Sequence, residues 1–280
     1  MTPVPLVPGD APAAGAADPE PLADAVALLG ACAAPSETYW RLLELAAVRR
    51  HLGDAAGPVL ELGCGDGVFT ELTGLQVDVA VDRELRAVER AGRRRSVYRA
   101  VRRMDISDLD ANLGSFGTIF SNSVLEHVPD LEPVLRRCRE LLVPGGRLIA
   151  TVPLRQMNEH LAVRLPAYVR ARQRQLQHRN LWTTDEWRAR LEAAGFETVT
   201  ADPYLDAAAC RRWDRLDAAA ALGAGRYRVA PILHRLASAT LPAPTKQWLK
   251  ARLARVLLHW MRFPAERVGC AAVLVATTPG

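Results

Sequence analysis

Residues 59–67 read V-L-E-L-G-C-G-D-G, a short apolar run that ends in an acid and opens into glycines at 63, 65 and 67. A run of this length bounded by glycine predicts a buried strand, and glycine at that density lets the backbone turn tightly and come close to a ligand. The spacing also discriminates between ligands. A dinucleotide fingerprint G-x-G-x-x-G needs its third glycine at position 68, where the chain has Val68, so a nicotinamide or flavin site is disfavoured.

From Val59 onward strand and helix signals alternate in the way that builds a parallel sheet covered on both faces. Strands are predicted near 59–62, 77–81, 97–103, 117–121, 147–152, 196–201 and 270–277, and helices near 67–73, 83–91, 132–142 and 184–194. Thr183 with Glu186 makes a capping-box pattern, and Gly195 supplies the stop before Phe196. Upstream, Ser36 is the predicted N-cap of a helix through His51, with an apolar stripe that includes Tyr39, Leu42, Leu43 and Leu45. Six prolines precede residue 22 and forbid a continuous helix there. Residues 1–35 are therefore expected to be disordered or weakly structured, with a short helix between Pro21 and Ala34, and residues 36–280 to form one domain.

Further motifs follow the glycine loop in step. Fifteen residues past Gly67 the second strand ends V-A-V-D at Asp82; R-M-D-I follows the third at 103–106; the fourth gives T-I-F-S-N-S-V-L-E-H-V at 118–128, and a helix then runs to P-G-G at 144–146. In this order and spacing the motifs resemble the class I S-adenosylmethionine (SAM) dependent methyltransferases, and the fourth-strand region is similar to the ubiquinone-biosynthesis-type and related small-molecule group. The resemblance covers about 56–202. It implies an α/β, Rossmann-like, seven-stranded sheet with an antiparallel last strand, and SAM as cofactor with S-adenosylhomocysteine as product. By the same resemblance the loop of Gly63, Cys64, Gly65 and Gly67 brings backbone amides to the methionine moiety and Glu61 sits near its ammonium group. Asp82, with Arg83 beside it, would accept from both ribose hydroxyls; Asp105 would accept from the adenine amino group while Ile106 or Met104 packs on the ring, a cap over the loop to Ser107 being the alternative for Asp105. Ser121, Asn122 and Ser123 would line the reaction centre, and P-G-G would turn the chain into strand five. Tyr39 and Trp40 in the leader helix are candidates for the methionine end, with core packing as the alternative.

A sulfonium makes its methyl group electrophilic, so transfer mainly requires an acceptor lone pair held in line; a hydroxyl or ammonium acceptor also needs a base, a carboxylate does not. His127, five residues past Asn122, and His160 and His178 in the segment after strand five are the candidate bases, each with a structural alternative. No two histidines stand at i, i+4, and the D-I-S-D run at 105–108 is too short for a cage, so no metal site is expected.

Two segments, about 153–182 and about 203–267, fall outside the core at positions where the resembling family carries a substrate cap above the strand ends. In the first, R-A-R-Q-R-Q-L-Q-H-R at 170–179 offers arginine forks to a phosphate or carboxylate, or is a solvated helical face. In the second, R-R-W-D at 211–214 and the stretch 226–236 are candidate pocket walls, and His234 and His259 lie in basic helical stretches. Residues 246–263 are amphipathic, with Trp248, Leu249, Leu253, Val256, Leu257 and Trp260 set among lysines and arginines. They suit either an anionic membrane surface or a cap on the core or on a second subunit, the latter giving a homodimer.

The formal charge is +5, and only Lys246 and Lys250 are lysines; arginine with abundant alanine points to GC-rich bacterial coding. Five scattered cysteines, with no C-x-x-C pair, argue against a disulfide framework and a zinc site. No run nears 18 apolar residues and no secretory leader is evident, so a cytoplasmic protein is expected. The reading that results is methyl transfer to an oxygen or nitrogen of a small molecule in bacterial specialised metabolism or sugar modification. A lipid-linked or phosphorylated acceptor, C-methylation included, and a non-catalytic SAM-binding scaffold stand as alternatives. No nucleic-acid partner is expected, because strand four ends S-N-S-V rather than in an N-P-P-Y-type motif.

Overall fold

Seven strands form one sheet in the order β3-β2-β1-β4-β5-β7-β6. They are β1 (Val59–Leu62), β2 (Val77–Asp82), β3 (Tyr98–Arg103), β4 (Phe116–Asn122), β5 (Leu142–Pro153), β6 (Thr198–Pro203) and β7 (Ala271–Thr277). β1 to β5 run parallel, and β7 is antiparallel to both β5 and β6. The computed structural model describes residues 20–53, 55–220, 242–261 and 269–280. The expected disorder of the first nineteen residues, His234, the 226–236 segment and the end of the 246–263 stretch lie outside the described residues.

The central strands are buried at nearly every position because both faces are covered: all four residues of β1 and six of the seven in β4 are buried. On one face lie α1 (Glu20–Ala31), α2 (Pro35–Leu52), α3 (Val68–Thr73), α4 (Leu85–Ala91), α6 (Pro166–Leu176), α8 (Ala207–Ala220) and α9 (Ala243–His259), whose apolar residues share a core with Phe120, Ile149 and Val273. On the other, α5 (Leu131–Leu141) and α7 (Thr184–Ala193) pack against Ile119, Leu148 and Leu274. α5 does so through Leu131, Val134, Leu135 and Cys138, the i, i+3, i+4, i+7 face of a helix. The capping box of α7 is present, with Thr183 Oγ1 accepting from Glu186 N at 3.2 Å and Glu186 Oε2 accepting from Thr183 N at 2.8 Å.

Strand order reverses between β1 and β4, the switch point at whose carboxyl side open α/β sheets bind ligands. Two local expectations are corrected. Ser36 is not the N-cap of α2: the helix begins at Pro35, whose fixed φ suits the first turn, and Ser36 is buried inside it, donating to Asp217 Oδ1 at 2.9 Å. P-G-G is not a separate turn: β5 starts at Leu142, and the register slip between Phe116↔Leu142 and Thr118↔Arg147 makes it a bulge within that strand. No described helix is long and apolar enough to cross a membrane.

Candidate active site

The loop after β1 is fastened to β2. Gly63 N and Cys64 N both donate to Val81 O, at 2.8 and 3.3 Å, and Gly65 N donates to Asp82 Oδ2 at 2.9 Å. Gly63 and Gly67 have φ of 71° and 78°, and a Cβ on them would lie 2.4 Å from Val124 and 2.6 Å from Tyr98, so glycine is required at both for backbone conformation and for space. Asp82 Oδ1 accepts from Glu84 N at 2.8 Å. Each Asp82 oxygen thus spends one lone pair on the loop and keeps another for a hydroxyl donor.

Two cavities meet at Gly63. The larger, about 480 Å³, is walled by Asp82, Arg83, Met104, Asp105 and Ile106. Asp105 Oδ1 takes both the backbone N (3.0 Å) and the hydroxyl (2.7 Å) of Ser107, which lowers its pKa and leaves Oδ2 to a ligand. The expected cap and the expected adenine acceptor are therefore compatible. The smaller, about 320 Å³, is walled by Glu37, Arg41, Glu61, Cys64, Gly65 and Asn122. Glu61 is 2% exposed; its Oε1 accepts from Thr70 Oγ1 at 2.5 Å while Oε2 has no partner, and burial pushes its pKa up to about 7. The Thr70 and Tyr98 hydroxyls face this carboxyl and offset part of the rise, so Glu61 is a buried acceptor of the kind an ammonium group on a ligand would suit. An elongated molecule with a ribose at one end and an amino acid at the other fits this donor and acceptor set.

On the wall of the larger cavity Ser123 holds a left-handed φ of 53°, rare for a residue with a side chain. Its N–H donates to Thr151 Oγ1 at 2.9 Å and its hydroxyl to Glu44 Oε1 at 2.7 Å. Glu44, fully buried on α2, also accepts from Arg41 at 2.6 Å and from Tyr204 at 3.1 Å. Turned so that its oxygen meets Arg41 at 2.6 Å, the Asn122 amide donates to Thr151 and to Glu44. This buried polar cluster ties the leader helix to the end of β4.

A third cavity, about 280 Å³, shares Ser123 and His127 with the first and Glu37 and Arg41 with the second. Trp40, Met157, Leu176 and Trp213 give it apolar walls, and Glu126, His127 and His178 give it titratable ones. His178 is brought in by Asn180, whose side chain donates to Leu125 O and Val128 O, both at 2.8 Å, while Arg179 N and Asn180 N donate to Glu126 O. The two histidine rings then lie 5.3 Å apart, with His127 Nε2 3.8 Å from Glu126 Oε1. Burial pushes the Glu126 pKa up to about 8 and leaves Oε2 unpartnered; burial lowers both histidines, His178 to about 4 with help from His127. At neutral pH both rings are neutral. Ligand atoms of Glu126, His127 and His178 lie within 4.8 Å of one another, so the fold assembles a set able to hold a divalent cation where sequence spacing shows none.

Comparison with known proteins agrees with this geometry. Residues 35–201, more than half of the chain, match the family model described as a methyltransferase domain. The chain belongs to the class I SAM-dependent methyltransferase family. Similar curated proteins include the ubiquinone biosynthesis O-methyltransferases of Chromobacterium violaceum, 36% identical over 111 residues (37% of this chain, 47% of that one), and of Xanthomonas oryzae pv. oryzae, 40% identical over 108 residues (36% and 45%). The chain thus matches just under half the length of these relatives. A SAM-dependent methyltransferase from Archaeoglobus fulgidus shares the fold, with a TM-score of 0.52 and 15% identity over 85% of this chain and 94% of that one.

In this methyltransferase the structure gathers Glu61, Gly63, Cys64, Gly65, Asp82, Arg83, Asp105, Ile106, Asn122 and Ser123 on the first two cavities; Gly67 shapes the turn without lining either. Three expectations are corrected. Tyr39 lines none of the three cavities and takes the core-packing alternative: it is fully buried and donates to Trp260 O at 3.0 Å, and Arg41, two residues on, takes the cavity position. Ser121 is fully buried, because side chains alternate along β4 and its neighbour Asn122 takes the open side. His160 lines none of these cavities, while His127 and His178 line the third. Of the basic stretch 170–179, Arg172 is 4% exposed and pairs with Asp214 (2.8 Å) and Asp217 (2.7 Å), so it anchors α6 rather than clamping an anion. Glu126, Glu44, Arg41 and Asn180 were missed; only the E-H pair at 126–127 carried a local signal.

Proposed function

We propose that this enzyme methylates an oxygen or nitrogen of a small molecule that must give up a proton, and that Glu126, beside His127 and His178, receives it. Glu126, which lines the acceptor cavity and whose buried Oε2 has no hydrogen-bond partner, carries this reading. SAM supplies an electrophilic methyl group, and Asp82, Asp105, Glu61 and the glycine loop would hold it. The chain's own work is to bind, to align and to take a proton: Ser123 and Asn122 sit between donor and acceptor cavities, and Trp40 and Trp213, edge to face at 5.2 Å, flank the acceptor. A base with pKa near the working pH is the efficient one. The O-methyltransferase names of the curated relatives favour oxygen, and the arginine- and alanine-rich composition favours a bacterial specialised metabolite or a sugar. The five free cysteines suit a reducing cytoplasm.

Two features speak against an anionic acceptor: Arg41 is committed to Glu44 and Arg172 to Asp214 and Asp217. The test is labelled-methyl transfer from SAM to matched phenols, amines and carboxylic acids, with and without chelator. Hydroxyl or amine products that vanish in Glu126→Gln support the reading. Equal methylation of carboxylates, or full activity of Glu126→Gln, overturns it.

A further inference from the structure

We infer that this methyltransferase docks on anionic lipid bilayers through the face formed by α9, α1 and α4, with Trp248, Leu249 and Val256 entering the headgroup layer and arginines of α4 and α9 set over lipid phosphates. The inference is independent of the acceptor.

α9 has two faces. Ala254 and Leu257 are buried, with Leu253 and Leu258 packed beside them in the core. On the opposite side Trp248 (55% exposed), Leu249 (43%) and Val256 (38%) stand in solvent with Arg252, Arg255 and His259. At about 100° per residue these six fall within an arc of about 120°. Three of the seven exposed large hydrophobic residues among the described residues lie on this one arc, and Leu85 at the start of α4 is a fourth on the same face of the sheet. The Arg252 guanidinium lies 5.2 Å from the Trp248 ring, an indole beside a cation, which is the pairing suited to the membrane–water boundary.

Charge follows the same face. Residues 83–103 hold nine arginines and two glutamates, a formal +7 in a chain of +5, so all other residues together are −2. Arg99, Arg102 and Arg103 lie on β3, an edge strand, where positive charge also discourages strand pairing. That explanation does not reach Arg86, Arg90, Arg93 and Arg95, which are exposed on α4 and the turn after it. Ala91 of α4 and Ala254 and Leu257 of α9 belong to one core, so the two helices cover the same side of the sheet. α1 packs against α9, the Lys250 ammonium lying 3.5 Å from where a Cβ on Gly30 would sit, and Leu28 and Ala31 of α1 line the second cavity together with Arg90 of α4. Basic residues around a partly inserted indole and two aliphatic side chains match an anionic bilayer. A two-fold self-contact would set Arg252 and Arg255 against their own copies, and a nucleic acid would leave Leu249 and Val256 in water.

Co-sedimentation tests this with the full chain and vesicles of equal parts phosphatidylglycerol and phosphatidylcholine. Retention is expected at low salt, absent on pure phosphatidylcholine, reversed by added salt, and lowered about tenfold by Trp248→Glu and again by Arg93→Glu with Arg95→Glu. Val143→Glu, an exposed apolar site on β5, should leave it unchanged, and unaltered S-adenosylhomocysteine binding shows that each variant is folded. The inference falls if the anionic vesicles retain nothing, if Trp248→Glu binds them as wild type does, if a random single-stranded RNA is bound more tightly through the same residues, or if Trp248→Glu converts a dimer to a monomer.

Discussion

Along the first two cavities Glu61, Asp82 and Asp105 each stand at or just past the carboxyl end of a strand, and hydrogen bonds from Gly65, Glu84 and Ser107 orient Asp82 and Asp105. On the acceptor side, Trp40, Glu126, His178 and Trp213 come from α2, the turn after β4, the segment after α6, and α8, and a few polar ties hold them together. The sheet sets the donor site; Asn180, Arg172 and Glu44 set the acceptor site.

The sharpest way to break this division is to remove the proton acceptor alone. Glu126→Gln is expected to lower turnover roughly a thousandfold while leaving S-adenosylhomocysteine affinity within about twofold, read by steady-state rates and calorimetry. In the wild type, the rate should rise with pH through about 8 as the Glu126 carboxylate forms. Stability should move the other way. Folding raises this pKa from 4.5 to about 8, so the folded state holds a proton that the unfolded state has released, and wild type loses stability relative to Glu126→Gln as pH climbs through that interval. Urea unfolding at several pH values reads the difference; a gap that widens toward acid would contradict it.

Next in size, Arg172→Ala leaves the buried Asp214 with Ala162 N and the Tyr168 hydroxyl but no opposite charge, and should cost about 3 kcal/mol of stability by denaturant unfolding. Asp82→Ala is expected to weaken S-adenosylhomocysteine binding about a hundredfold, since it removes two acceptors and the tie to Gly65. Arg170→Ala, in the same basic stretch as Arg172 but exposed, should change stability by less than about 0.5 kcal/mol.

The same division explains what was legible in the sequence. The sheet and the cofactor loop announce themselves locally: V-L-E-L-G-C-G-D-G needs its glycines for positive φ and for close approach, and a strand-ending aspartate at a fixed distance follows from the βαβ unit. Tyr39 and Ser121 were misplaced by one or two positions, because which side of a helix or strand faces a cavity depends on the neighbours it packs against. Glu126, His127 and His178 form a set only because Asn180 docks its loop on the turn after β4, a contact across 50 residues or more that no spacing rule encodes. The basic stretch misled for a related reason: burial of Arg172 depends on Asp214 and Asp217, which lie in a different insertion.

The most direct test is calorimetric titration of S-adenosylhomocysteine into wild type, Asp82→Ala and Glu126→Gln side by side. One site per chain in the wild type, binding weakened about a hundredfold in Asp82→Ala and kept within about twofold in Glu126→Gln, is the predicted result. No binding by the wild type, or equal loss in both variants, would contradict the account.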